Sequence, residues 1–167
     1  PIINFGKMPL GNGFISKRNN KKEYVFNLKL GFNDKLKLVQ IYNYPSPKKM
    51  FNKNYAFLSS TSKSMKLHFK KYAQTLKKKL NKRNFNVMEV GCNDGILLEN
   101  FKKYQHMGIE PSLNVCKIAK KKGLNVINKF FNSSILKSKH LNKKFDIICG
   151  ANVFCHIPDL HEMFFTL

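Results

Sequence analysis

A chain of 167 residues can bury one proper core, or one small module together with part of a larger domain. Its 31 Lys and Arg against 9 Asp and Glu give a formal charge of +22, which at face value suggests an anionic partner. The bases, however, are nearly all lysine set among asparagines, a compositional bias rather than the arginine-led chemistry of phosphate and base-edge readers, so no dedicated nucleic-acid partner is expected.

From the start, Pro9, Gly11, Asn12 and Gly13 read as a loop. Residues 24–30 then alternate as a half-buried strand does, with 36–42 as the partner strand and Gly31, Phe32, Asn33 and Asp34 as the turn, so a β-hairpin module is predicted over 1–47. Tyr44, Pro45, Ser46 and Pro47 mark its boundary. A connecting loop and helix follow over 48–85: irregular chain to Thr61 with a Ser/Thr cluster suited to capping, then Met65, Phe69, Tyr72, Leu76 and Leu80 at helical spacing.

From Asn86 onward, strands and helices alternate, the mark of a parallel sheet with crossover helices. Strands are expected at 86–90, 106–110, 124–127 and 145–150. Helices are expected after Gly95, after Pro111 and Ser112 (with Leu113, Cys116 and Ala119 inward and Gly123 at the stop), in the lysine-rich stretch after Phe131, and over 159–167. The apolar stretch 145–157 is too short to span a bilayer and is interrupted by Asp146, Asn152 and His156. Cys92, Cys116, Cys149 and Cys155 form no Cys-x-x-Cys pair, and they read as core thiols of a cytoplasmic protein.

The chemistry centres on residues 86–99, NVMEVGCNDGILLE. A buried strand carrying Glu89 near its end runs into the turn Gly91, Cys92, Asn93, Asp94 and Gly95 and then into an apolar helical face. At the carboxyl edge of a parallel sheet this is where small ligands bind, and bare glycine backbone lets them approach. Glu-x-Gly-x-x-x-Gly after a strand resembles the first motif of class I methyltransferases. It departs from the dinucleotide fingerprint, since Asn93 stands where a glycine would admit a pyrophosphate. Glu110 ends the next strand 21 positions after Glu89, about where an acid accepts the two hydroxyls of a ribose. His156 runs out toward the same sheet edge from the fourth strand. Phe130 and Phe131 read as plain core rather than as a stacking pair.

In this order, GNGF, KLKLVQI, Tyr55 with LSSTS, His68, MEVGCNDGILL, GIEPS and FDIICGANVFCHIPDL resemble the nucleotide-sugar C-methyltransferases, in which a zinc module precedes the methyltransferase domain. The resemblance implies an α/β protein, a small hairpin module followed by the first half of a Rossmann-like domain (86–167). It also implies methyl transfer from S-adenosylmethionine to a carbon beside the ketone of a nucleotide-bound 4-keto-deoxysugar. Glu89, Gly91, Cys92, Asn93, Asp94, Gly95, Glu110, Pro111 and Asn152 are the implied cofactor contacts, and Tyr55 and His156 the implied substrate-side residues. Asn33 and Leu36 stand where the family carries its Cys-x-x-Cys knuckle, so no zinc is expected. The family's Tyr-x-Glu-His base motif is expected beyond Leu167, and the chain opens without an initiator methionine, so a fragment is expected. The alternatives from the sequence are an RNA-associated protein on the methyltransferase fold and an inactive fragment; the sequence leaves the oligomeric state open.

Overall fold

The computed structural model describes residues 1–16, 23–138, 141 and 144–167. They fall into two compact units, Pro1–Phe51 and Asn52–Leu167.

The first unit is a three-stranded antiparallel sheet, β1 (Ile3–Pro9), β2 (Val25–Asn33) and β3 (Leu38–Ile41), with β2 in the middle and one helical turn, α1 (Pro47–Met50). The predicted hairpin is β2–β3, but its turn lies later than the composition suggests. Gly31 and Phe32 pair with Gln40 and Val39 inside the ladder, and Asn33 makes the reversal by accepting the Lys35 and Leu36 amides on its side chain. Gly31 sits in the strand because the Tyr42 ring occupies the space a Cβ would need. β1 was not foreseen: its Gly6 has a positive φ, the ladder shifts between Asn4 and Lys7, and the bulge breaks the alternation that marks a strand.

In the second unit a parallel sheet runs β6–β5–β4–β7, built from β4 (Asn86–Val90), β5 (Gln105–Ile109), β6 (Val126–Ile127) and β7 (Ile147–Cys149). These are the four predicted strands, the last two shorter than expected. β4 is central and buried on both faces. Val87 packs with Phe69, Ala73, Phe85, Leu97 and Phe101 on one side, while Met88 and Val90 pack with Ile109, Phe131, Ile135 and Met163 on the other. Phe131 is therefore core, as read.

The helix α2 (Lys63–Leu80) buries Phe69 and Ala73, while Met65 and Tyr72 of the predicted stripe stay exposed. Lys77 ties α2 to the sheet layer, donating to the Asn100 carbonyl (2.7 Å) with its ammonium 5.2 Å from the Phe101 ring centroid. The Ser62 side chain caps α2 by accepting the Met65 amide (3.3 Å). Ser62→Ala is expected to cost about 1 kcal/mol, read as a lower thermal midpoint.

Between β4 and β5 the expected helix is only a 3-10 turn, Leu98–Phe101. The connection is short, and the Asn100 side chain takes the Ile96 and Leu97 carbonyls that would carry an α-helix forward. Helix α3 (Leu113–Lys121) buries Val115, Cys116 and Ala119, whereas Leu113, at its first position, is exposed. Gly123 follows it with φ +79, as a left-handed stop requires. The lysine-rich stretch after Phe131 shows a 3-10 helix at Ser133–Lys137, and its positions 139, 140, 142 and 143 lie outside the described residues. Helix α4 (Leu160–Thr166) starts at Asp159, whose carboxylate accepts the Glu162 amide (2.9 Å). Cys92, Cys116 and Cys149 are buried as expected. Cys155 is exposed, because it sits on a turn after β7 rather than in the sheet.

Candidate functional site

The turn after β4 is built from backbone that only small or polar residues adopt. Gly91 (φ +64), Asn93 (φ +51) and Gly95 (φ +82) all lie in the left-handed region. The turn is moored to the neighbouring strand by the Cys92 amide on the Ile109 carbonyl (3.1 Å).

Glu110 does more than its spacing suggests. One carboxylate oxygen accepts the Asn93 amide (2.9 Å) and the other the Ser112 amide (2.8 Å), so a single side chain joins the glycine turn to the start of α3. It is 5% exposed; burial raises its pKa, and the two amides pull it back down. Each oxygen has used one lone pair and keeps another. Asn128 holds the chain behind it by donating to the Glu110 and Pro111 carbonyls (both 2.8 Å). Lys122 donates to the Asp94 carbonyl (2.8 Å).

Glu89 lies beneath the turn, 3% exposed. Burial pushes its pKa well up, the Leu98 backbone hydrogen bond opposes this, and the charges of Glu110 and Asp94 add to it. A carboxyl whose folded pKa is raised binds more protons folded than unfolded, so ligand-free stability falls as pH rises above the ordinary carboxylate range. Glu89→Gln is accordingly expected to be more stable than the parent at pH 8 and to lose that advantage toward pH 4, by urea unfolding at each pH.

Among the described residues, the buried side-chain oxygens without a hydrogen-bond partner are Glu89 Oε2, Asp94 Oδ1 and Ser112 Oγ. All three belong to the end of β4, the turn, or the first residue of the next crossover. Two are carboxylate acceptors, which suits a ligand bearing cationic or N–H donors.

The predicted residues are not all alike in placement. Glu89, Gly91, Cys92, Asn93, Asp94, Gly95, Glu110 and Pro111 converge on the β4 and β5 ends. The Cys92 thiol is buried, with its pKa pushed well up by desolvation, and packs with Leu98, Cys116 and Ala119. The Asn93 side chain is committed elsewhere, accepting the Ser59 amide (3.1 Å) and donating to the Phe57 carbonyl (3.1 Å), which leaves its backbone for the turn. Asn152 (φ +56) and His156 are exposed on the segment that leaves β7. Tyr55 reaches the site through Asn114, which sequence reasoning missed together with Ser60, Lys122 and Asn128. The one available signal was a poor helix former, Asn114, in the first turn of α3.

Exposed lysines occur on α1 in the first unit and, in the second, on α2, at the 102–103 turn and on α3. No group of three or more His, Cys, Asp or Glu that could hold a metal ion occurs among the described residues, and no helix among them is long and apolar enough to cross a membrane.

A parallel α/β sheet with a left-handed glycine turn and paired acids at adjacent strand ends defines a class of small-ligand sites at the carboxyl edge. Residues 62–167 match the family model of the methyltransferase domain, and the chain belongs to that family. Among solved structures it is similar to the plantazolicin methyltransferase BpumL in complex with a monoazolic desmethylPZN analog and SAH (20% identity, 60% of this chain and 40% of that one, TM-score 0.49). It is also similar to the magnesium protoporphyrin IX methyltransferase ChlM from Synechocystis PCC 6803 with bound SAM (16%, 56% and 47%, TM-score 0.44). A third is the sugar N-methyltransferase KedS8 from Streptoalloteichus sp ATCC 53650 (17%, 49% and 33%, TM-score 0.40). The chain spans less than half the length of each of these proteins. No curated protein is matched by it.

Proposed function

We propose that this chain is the S-adenosylmethionine-binding part of a methyltransferase that acts on a carbon beside the ketone of a nucleotide-linked 4-keto-deoxysugar. Its segments in this reading are the hairpin module of 1–47, the connecting loop and helix of 48–85, and the cofactor-binding half of 86–167. The observation that carries the cofactor assignment is the gathering of unpartnered buried oxygens, on Glu89, Asp94 and Ser112, around one left-handed turn. S-adenosylmethionine offers an ammonium and a ribose diol to such acceptors and has no pyrophosphate to be accommodated.

The residues divide the work by chemistry. Glu89 and Asp94 present acceptors to a cationic group, and Glu110 keeps one lone pair on each oxygen for a hydroxyl. Gly91 and Gly95 leave backbone bare where a ligand approaches closely. When bound, the cofactor supplies an electrophilic methyl group. Tyr55 and His156 are assigned to the substrate side, where a hydroxyl and an imidazole can bind and orient a keto-sugar. The sugar assignment rests on the resemblance of Tyr55 with LSSTS, and of the segment through His156, to the nucleotide-sugar C-methyltransferases.

Methyl transfer is the test of the substrate. With methyl-labelled cofactor and a protein that contains these residues in its full natural chain, label should enter a 4-keto-deoxysugar nucleotide and should stay on carbon after acid hydrolysis. Label on oxygen or nitrogen, or transfer only to other acceptors, would reject the keto-sugar assignment.

A further inference from the structure

The segment ahead of α2, residues 55–60, is laid against the glycine turn without joining any sheet. Its peptide groups are taken up instead by three side chains distant in sequence. Asn114 Oδ1 accepts the Tyr55 amide (3.2 Å) while Asn114 Nδ2 donates to the Tyr55 carbonyl (2.7 Å). Asn93 takes the Phe57 carbonyl and the Ser59 amide, and Asp94 Oδ2 accepts both the amide and the hydroxyl of Ser60.

We propose that Asn114 is a positioning residue of the methyl-transfer site, fixing the main chain of Tyr55 against the start of α3, where Glu110 holds the Ser112 amide. This rests on the cofactor-binding reading above. An amide carries a donor and an acceptor side by side in one plane and so satisfies the N–H and the C=O of the same residue together, which sets the peptide planes on both sides of the Tyr55 Cα and hence the direction of its side chain. Asn114 lies in the first turn of α3, and the Ser112 amide just ahead of that turn is held by Glu110. Tyr55 and Glu110 are therefore referred to the same helix start. Independently, the Tyr55 phenol is pushed above its ordinary range, by burial first and then by the negative charge of Glu110. Asn93 and Asp94 use side chains on the strap and backbone in the turn, so the strap and the cofactor turn are held by the same residues.

The experiment compares the full 167-residue chain with Asn114→Ala, Asn114→Asp and Ser60→Ala. It reads hydrogen exchange of residues 52–61, phenol titration by ultraviolet absorbance, and affinity for S-adenosylhomocysteine by calorimetry. With six tyrosines and no tryptophan, Tyr55→Phe identifies the Tyr55 transition. In Asn114→Ala the Tyr55 amide should exchange about tenfold faster or more, the Tyr55 transition should move down toward the ordinary phenol range, and S-adenosylhomocysteine should bind about tenfold more weakly, because the strap that Asn114 moors is held at its other end by Asn93 and Asp94 of the cofactor turn. Asn114→Asp, which keeps the acceptor and loses the donor, should fall between. Unchanged exchange and titration in Asn114→Ala would overturn the proposal, as would faster exchange with parental affinity, the mark of a purely structural contact. If the parent itself binds no S-adenosylhomocysteine, the cofactor reading fails; exchange and titration still decide whether Asn114 places Tyr55. Should Asn114→Ala not fold, Asn114→Asp, which loses only the bond to the Tyr55 carbonyl, carries the same comparison, and Ser60→Ala, which leaves both Asn114 bonds in place, should keep the parental Tyr55 exchange and titration.

Discussion

Glu110→Ala is expected to abolish measurable S-adenosylhomocysteine binding and to lower the unfolding free energy by about 3 kcal/mol, read by calorimetry and urea unfolding. The size follows from what the carboxylate holds. It is buried, and it accepts the amides of Asn93 and Ser112 at 2.9 and 2.8 Å. Alanine leaves both donors without this acceptor, and a buried unsatisfied donor costs about 1–3 kcal/mol. The variant also frees the glycine turn from α3 and removes the acceptors assigned to the ribose. Glu110→Gln separates these effects. Its carbonyl oxygen can keep one amide while its NH2 opposes the other, so it should recover part of the stability and little of the binding. Equal affinity in the parent and Glu110→Ala would remove Glu110 from the site.

Gly91→Ala is expected to cost about 3 kcal/mol of stability and to reduce cofactor affinity by tenfold or more. Gly91 has φ +64, a region that disfavours an L side chain by about 1–2 kcal/mol. A Cβ there would also stand 2.5 Å from Val153 Cγ2, an overlap that rigid neighbours relieve only at about 1–3 kcal/mol. Val153→Ala in the Gly91→Ala background should return the clash portion and leave the backbone strain, a split that a double-mutant cycle reads directly. Full recovery by Val153→Ala would show that the left-handed turn is not strained by a side chain.

The sequence pattern foretold the parts of the second unit that local chemistry controls. The run Val87, Met88 and Val90, the glycine turn and the acid at Glu110 are contiguous or regularly spaced signals, and they became β4, the left-handed turn and the end of β5. Where the reading missed, a tertiary or irregular feature prevailed. β1 carries a bulge and a positive-φ glycine that erase its alternation. The helix expected after Gly95 is cut to a 3-10 turn that the Asn100 side chain closes on carbonyls three and four residues back. The partners of Glu110, Asn93, Asp94 and Asn114 lie up to 59 positions away or on backbone amides, and no local periodicity encodes such pairs. Leu113 faced outward because the buried stripe of α3 runs through Val115, Cys116 and Ala119.

A turn after β4 that holds S-adenosylmethionine rather than a dinucleotide should discriminate between the two ligands in solution. Calorimetric titration of the 167-residue chain with S-adenosylhomocysteine, beside NAD as the control, reads this preference. One saturable site for S-adenosylhomocysteine, lost in Glu110→Ala, and no site for NAD are expected. Saturable binding of NAD, or no binding of S-adenosylhomocysteine up to its solubility limit by a folded chain, would rule out a turn built for S-adenosylmethionine.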